Sequence, residues 1–224
     1  MIQIPKTTVG LAELLRLTIK NNYVYFLCFC LFLVLGGLVL LNINQGDLLL
    51  FFSDNRSISG NFFFKYFTKV GEELTYLGFV LLFLWQGRRL AAVFVPVIGF
   101  LVTIISYWTK NFFLHPRPSE YYKQLNLLGE ISLVDGVQLL KGLSSFPSGH
   151  TMSAFALFTF VALVLSRKGW LSFFCFFCAF AVGISRIYLV QHFLQDVYAG
   201  AIIGTFLALF IYLLYFYLKN KKDF

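Results

Sequence analysis

Six ionisable residues stand where hydrophobic patterning alone would not put them. Lys110 lies near the end of one apolar run, and Arg117 follows seven residues later, just past Pro116. His150 opens a later run, Arg186 closes the next, and His192 and Asp196 open the last, one helical turn apart. Cations gather anions, imidazoles exchange protons near neutral pH, and a carboxylate at i+4 shares a helical face with the histidine before it. Each residue alone has an ordinary alternative. Lys110 or Arg186 could snorkel to lipid headgroups, a lone histidine at a helix end is more often structural, and Asp196 could simply suit a helix N-terminus. Jointly, the six fall at ends of helices that one bundle could bring together. Ionisable groups at membrane depth are costly, and their default reading is functional.

The elements that must position them are written in composition. The chain has 224 residues, of which 59% are hydrophobic, 20% aromatic and 12% charged. Soluble domains carry about a quarter charged residues, and a mean hydropathy of +0.78 points to lipid as the solvent. The net charge of +8 lies in short clusters between apolar runs, which argues for membrane topology and against nucleic acid. Cys28, Cys30, Cys175 and Cys178 all lie inside apolar stretches. Cys175 and Cys178 have CxxC spacing, but a dithiol in hydrocarbon has little thiolate character, so all four read as packing residues.

A helix of roughly 20 apolar residues crosses a bilayer. Spans are expected at Val24–Ile43, Glu73–Trp85, Leu90–Phe113, Gly149–Leu165, Trp170–Ser185 and His192–Leu218. The second suffices only if Tyr66 to Val70 join its helix, and Pro96 could kink the third. Residues 1–22 place Leu11, Leu14, Leu15 and Ile19 at helical spacing between Glu13, Arg16 and Lys20, the pattern of an amphipathic surface helix. The expected fold is all-α: one polytopic membrane domain over 1–224, with six transmembrane helices and outward-facing loops at 44–71 and 114–147. No cleavage site follows the first span, which reads as a retained anchor.

Six spans put both termini on one side. That side carries Lys6, Arg16, Lys20, Arg88, Arg89, Arg167, Lys168, Lys219, Lys221 and Lys222 against Glu13 and Asp223, whereas the other is balanced. The excess predicts cytoplasmic termini and a site facing the periplasm or exterior. The closing Lys221-Lys222-Asp223-Phe224 fits a dilysine pattern but reads as a basic tail.

Three motifs, in order, carry a resemblance. Lys110-(six)-Arg117-Pro118, Pro147-Ser148-Gly149-His150 and Ser185-Arg186-(five)-His192-(three)-Asp196 resemble the three-part signature of the type 2 phosphatidic acid phosphatase superfamily, which includes bacterial acid phosphatases and vanadium haloperoxidases. The resemblance implies phosphoryl transfer. Lys110, Arg117 and Arg186 would cradle the phosphate oxygens, with Ser148 as a helix N-cap and the Ser148 hydroxyl and Gly149 N–H as further donors. His192 would be the nucleophile that forms a phosphohistidine, Asp196 would fix its tautomer, and His150 would be the general acid and then base. No cofactor is implied, and three histidines with two so engaged leave no metal-ligand set.

Other residues read plainly. His115, inside the Lys110–Arg117 spacer, has no place in the motif and reads as a loop residue. Glu72 and Glu73 read as helix N-terminal acids ahead of a substrate role. Lys65, Lys69 and Lys123 read as a solvated rim. Gly200-(three)-Gly204 is a close-packing motif, within the chain or in a dimer, and says little of oligomeric state. The expectation is a metal-independent lipid phosphatase of a bacterial inner membrane, acting on phosphatidate, phosphatidylglycerol phosphate, undecaprenyl pyrophosphate or lipid A. Its partners are the bilayer and that lipid, and no nucleic acid. The rivals are a transporter or binding protein for a phosphorylated lipid, and a haloperoxidase, whose relatives are typically soluble.

Overall fold

A computed structural model describes residues 10–165 and 169–222, and these contain helices but no strand. Lys6, Arg167, Lys168 and Asp223, which enter the charge argument, lie outside the described residues, as do 1–9 of the N-terminal segment and the last two residues of the dilysine pattern. Ten α-helices follow in order: α1 (Leu11–Asn21), α2 (Tyr23–Asn42), α3 (Asp47–Asp54), α4 (Ile58–Phe67), α5 (Glu73–Trp85), α6 (Arg89–Phe113), α7 (Pro118–Gln124), α8 (Gly149–Leu165), α9 (Gly169–Tyr188) and α10 (Leu194–Lys222). Short 3-10 turns lie at Thr68–Gly71 and Leu128–Glu130. Helices α2, α6, α9 and α10 are long and apolar enough to cross a membrane, while α5 and α8 are shorter apolar helices. The architecture fits a polytopic membrane protein.

Helix α8 is the axis of the bundle. It is apolar on every side and buried along nearly its whole length, as a helix without a polar face must be. Helix α10 packs on it most extensively. A Cβ at Gly200 would sit 2.7 Å from the Ser148 carbonyl oxygen, and one at Gly204 would overlap the Met152 carbonyl. The Gly-x3-Gly motif therefore serves a contact inside the chain, where only hydrogen lets the two backbones meet. The same contact brings the starts of the two helices together, and the Ser148 N–H donates to the Asp196 carbonyl at 2.9 Å. Outward, α2 exposes Leu27, Leu31, Val34, Leu35, Leu38 and Leu41, a surface stable only against lipid.

Three expectations need correction. Tyr66 to Val70 do not extend the second span, because α4 ends at Phe67 and Glu72 is extended (φ −104°, ψ 178°) before α5 begins. A Cβ at Gly71 would lie 2.9 Å from Val182 Cγ1 and 3.1 Å from the His150 carbonyl oxygen, so the chain bends where it meets α8 and α9. The thirteen residues of α5 are then about 20 Å long. Segments 44–71 and 114–147 are not simple loops, since α3, α4 and α7 lie within them. His192 does not open a helix: α10 starts at Leu194, so His192 and Asp196 do not share a helical face. Helix α6 runs unbroken through Pro96. All four cysteines are free, with Cys175 and Cys178 buried and Cys30 exposed.

Candidate active site

The polar residues converge where α6, α8, α9 and α10 end or begin at one end of the bundle. Helix α6 carries Lys110 in its last turn and stops at Leu114, whose φ of +46° turns the chain back. Arg117 then caps α7, with Pro118 in the first helical position. Two backbone bonds lace this segment to the approach of α8: Arg117 N–H to Gly142 O at 2.9 Å, and Ser145 N–H to His115 O at 3.0 Å. Ser148 N-caps α8, its Oγ accepting from Thr151 N–H at 3.4 Å and Thr151 Oγ1 at 2.9 Å. Its own hydroxyl proton stays free for another acceptor. A Cβ at Gly149 would lie 3.7 Å from Lys110 Nζ, so that ammonium sits over the N-terminus of α8. Cation and helix terminus are both positive ends.

Arg186, at the end of α9, is buried and donates from Nη1 to Thr68 Oγ1 at 2.8 Å. Its carbonyl accepts the N–H groups of Gln191 (2.9 Å) and His192 (3.1 Å), a tight turn that passes through Val190 at φ +59°. That turn delivers His192 into the core. Arg117 Nη1 donates to the Gln191 carbonyl and to His192 Nε2, each at 3.1 Å, and Nη2 reaches Ser144 Oγ at 3.4 Å. A guanidinium only donates, so Nε2 of His192 holds the lone pair and Nδ1 carries the hydrogen. Nδ1 lies 3.4 Å from both Asp196 Oδ2 and Ser145 Oγ.

Asp196, fully buried, works as a helix cap as well as a partner of His192. Its Oδ2 accepts from Phe193 N–H at 3.0 Å and from Ser145 Oγ at 2.5 Å. Burial, chiefly, pushes the His192 pKa down to about 3; the Asp196 hydrogen bond opposes this and Arg117 reinforces it. The ring is therefore neutral at neutral pH. His150 stands nearer the mouth, its Nε2 3.3 Å from Glu72 Oε1, both side chains about one-third exposed.

The charge balance is one-sided. The ion pairs among the described residues all join a histidine to a carboxylate, and none engages Lys110, Arg117 or Arg186. The Nε atoms of Arg117 and Arg186 are buried without a hydrogen-bond partner. A buried cation without a counter-charge is costly, so the two buried guanidiniums and the half-buried Lys110 ammonium, gathered near a neutral imidazole, form a cluster that a multiply charged anion would complete. Among the described residues no group of three or more His, Cys, Asp and Glu side chains is placed to hold a metal.

All eight residues singled out in the sequence thus lie in or beside this cluster. Sequence reasoning missed Ser144, Ser145 and Thr68, which orient Arg117, Asp196 and Arg186, because hydroxyls in loops and turns carry no patterning signal. It set aside His115, whose Nδ1 lies 4.0 Å from Asp196 Oδ1, and Glu72, whose contact is with His150 rather than only with its own helix.

The PAP2 superfamily model matches residues 90–220, more than half of the chain, and the chain belongs to that superfamily. A lipid A 4'-phosphatase of Bacteroides thetaiotaomicron is 33% identical over 171 residues, covering 71% of this chain and 72% of that protein. Lipid phosphate phosphatase 1 of Arabidopsis thaliana is 38% identical over 43% of this chain, which there spans about a third (36%) of the plant protein's length. The fold matches the crystal structure of Aquifex aeolicus LpxE with a TM-score of 0.61 at 25% identity, over 76% of this chain and 96% of that one. It also matches a transmembrane PAP2-type phosphatidylglycerolphosphate phosphatase from Bacillus subtilis, with a TM-score of 0.60 at 21% identity, over 84% and 94%.

Proposed function

We propose that this chain is an integral membrane lipid phosphatase that works through a phosphohistidine and needs no metal. The observation that carries the reading is the pair of buried guanidiniums, Arg117 and Arg186, that have no carboxylate partner beside the lone pair of His192. Phosphate enters among Lys110, Arg117 and Arg186, with the Ser148 hydroxyl and the Gly149 N–H completing its contacts. These groups supply positive charge that a metal would otherwise bring to the equatorial oxygens.

His192 Nε2 attacks phosphorus in line, an N–P bond forms and the bond to the leaving oxygen breaks. His150 gives that oxygen its proton, so the lipid departs as an alcohol. The phosphorylated ring is cationic, and Asp196 steadies it through the Nδ1 hydrogen. Water then attacks phosphorus, giving its proton to His150 and releasing phosphate with a neutral His192. With His150 and Glu72 nearest the mouth, the leaving group faces outward.

The substrate is a lipid because the site lies at the end of an apolar bundle. Among phosphatidate, phosphatidylglycerol phosphate, undecaprenyl pyrophosphate and lipid A, a relative that overlaps 71% of this chain and 72% of its own length puts lipid A first to be tried. In the bilayer we place six crossings, with α8 as a short inner one and α5 as a short one facing lipid, α1 along the surface, both termini cytoplasmic and the site outward. The test is phosphate release from these four lipids by purified protein in EDTA, beside His192→Ala. Release that survives chelation and disappears in the variant supports the mechanism. No release from any lipid, or equal release by the variant, sends the site back to transport or binding of a phosphorylated lipid.

A further inference from the structure

A buried donor and a buried acceptor beside the proposed nucleophile are both left unused. Asp196 receives every one of its side-chain hydrogen bonds on Oδ2: from Ser145 Oγ (2.5 Å), Phe193 N–H (3.0 Å) and His192 Nδ1 (3.4 Å). Among the described residues its Oδ1 is buried with no partner. Across from it, at 4.0 Å, lies Nδ1 of His115, also buried and without a partner. That separation is too long for a hydrogen bond, and leaving both atoms unsatisfied is costly. Closing by about 1 Å would satisfy both.

The far side of the His115 ring says which nitrogen carries the hydrogen. Gln195 Nε2 lies 2.9 Å from His115 Nε2. An amide nitrogen only donates, so His115 Nε2 accepts and the hydrogen resides on Nδ1, on the side of Asp196. Phe146 and Phe193 flank the ring, with centroids 6.4 Å and 6.2 Å away, and limit its rotation. The His115 carbonyl is itself tied to Ser145 N–H, the residue whose hydroxyl holds Asp196 Oδ2. Two segments laced by one backbone bond thus face the two oxygens of the carboxylate.

We propose that His115 is a positioning residue for the reaction: its Nδ1–H supplies the missing donor to Asp196 Oδ1 during turnover. This rests on the reading of His192 as nucleophile. A carboxylate hydrogen-bonded on both oxygens is held in place at both ends. It is also fixed in plane, so that it meets the Nδ1 hydrogen of a cationic phosphohistidine in one orientation. His115 touches none of the three phosphate-facing cations, so its contribution falls on the chemical step and not on binding.

The test compares His115→Leu and His115→Asn with wild type, using p-nitrophenyl phosphate as the probe. The Asn amide nitrogen lies near the position of Nδ1 and can make the same bond. His115→Leu should lower kcat about ten-fold, the scale of one hydrogen bond to a charged group, with KM unchanged. His115→Asn should recover most of it. If the leucine variant does not fold, His115→Gln takes its place, since its amide lies where Nε2 does and misses Asp196. A second readout needs no turnover: in protein labelled with 15N-histidine, the His192 Nδ1–H resonance, assigned by its loss in His192→Asn, should move in the leucine variant and return in the asparagine one. A leucine variant with wild-type kcat and an unmoved resonance overturns the proposal, as does an asparagine variant as impaired as leucine. A resonance that responds in a protein without turnover on the probe or on any lipid phosphate supports the His115–Asp196 contact while removing the phosphatase reading.

Discussion

Arg117→Lys separates a guanidinium that grips phosphate from a charge that merely sits nearby. In the resting site Arg117 spends Nη1 on the Gln191 carbonyl and His192 Nε2, reaches Ser144 with Nη2, and leaves Nε buried and unused. When phosphate arrives, Nε and one Nη can bond two oxygens as a fork, the geometry that suits this side chain. Lysine keeps the charge but offers a single point, so one charge-assisted bond is lost. Such a bond contributes about 1.5–3 kcal/mol, and about 1.4 kcal/mol is ten-fold, so kcat/KM should fall roughly 10- to 150-fold. The inhibition constant for inorganic vanadate should rise in the same sense, because a phosphate-like anion uses the same fork. The assay is phosphate release from a short-chain phosphatidate in detergent micelles, with a thermal melt to confirm folding. A folded variant within about three-fold of wild type on both measures would show that Arg117 does not hold the phosphate, and the cradle argument would fail with it.

Removing the Ser145 hydroxyl takes one of three donors from the fully buried Asp196. Ser145→Ala should cost about 1.5–3 kcal/mol of stability and lower kcat, and a melt unchanged from wild type would refute the role given to that 2.5 Å bond. Gly204→Leu forces a side chain against the α8 backbone at Met152 and should lower stability by about 1–3 kcal/mol or more, whereas Gly78→Leu, which meets nothing within 4 Å, should change little. If the two variants melt alike, α8 and α10 are not packed backbone to backbone. Acidity is a further lever, because the buried His192 has a pKa of about 3 against about 6.5 for a free histidine. Between those values the unfolded chain binds the extra proton, so stability is full above about pH 6.5 and falls as pH drops toward 3. The slope is at most about 1.4 kcal/mol per pH unit from this one group, and a His192→Asn variant should show a visibly shallower decline; equal slopes would mean that His192 is not buried neutral.

The chemistry was far more legible than the geometry. Lys110, Arg117, His150, Arg186, His192 and Asp196 stood out because each interrupts or bounds an apolar run, and that contrast survives in a single sequence. The break at Glu72 did not, because Thr68, Lys69, Glu72 and Glu73 read equally well as the first turn of a longer span, and what bends the chain is Gly71 meeting Val182 and the His150 carbonyl from distant helices. The i+4 spacing of His192 and Asp196 was compatible with two geometries, and periodicity cannot choose between them. In the structure Asp196 bonds back to Phe193 N–H and so caps the helix that His192 precedes. That difference matters for the reaction. A histidine on a helix would point its ring where the helix register dictates. Outside it, His192 is aimed by the turn after Arg186, whose cost includes a β-branched Val190 at φ +59°, a conformation that stores on the order of 1–3 kcal/mol. The turn is held closed by the Arg186 carbonyl, and the same residue's guanidinium is one of the unpaired cations. Nucleophile and anion cradle are thereby set by one residue, so a change that opened the turn at the Arg186 carbonyl would displace both together.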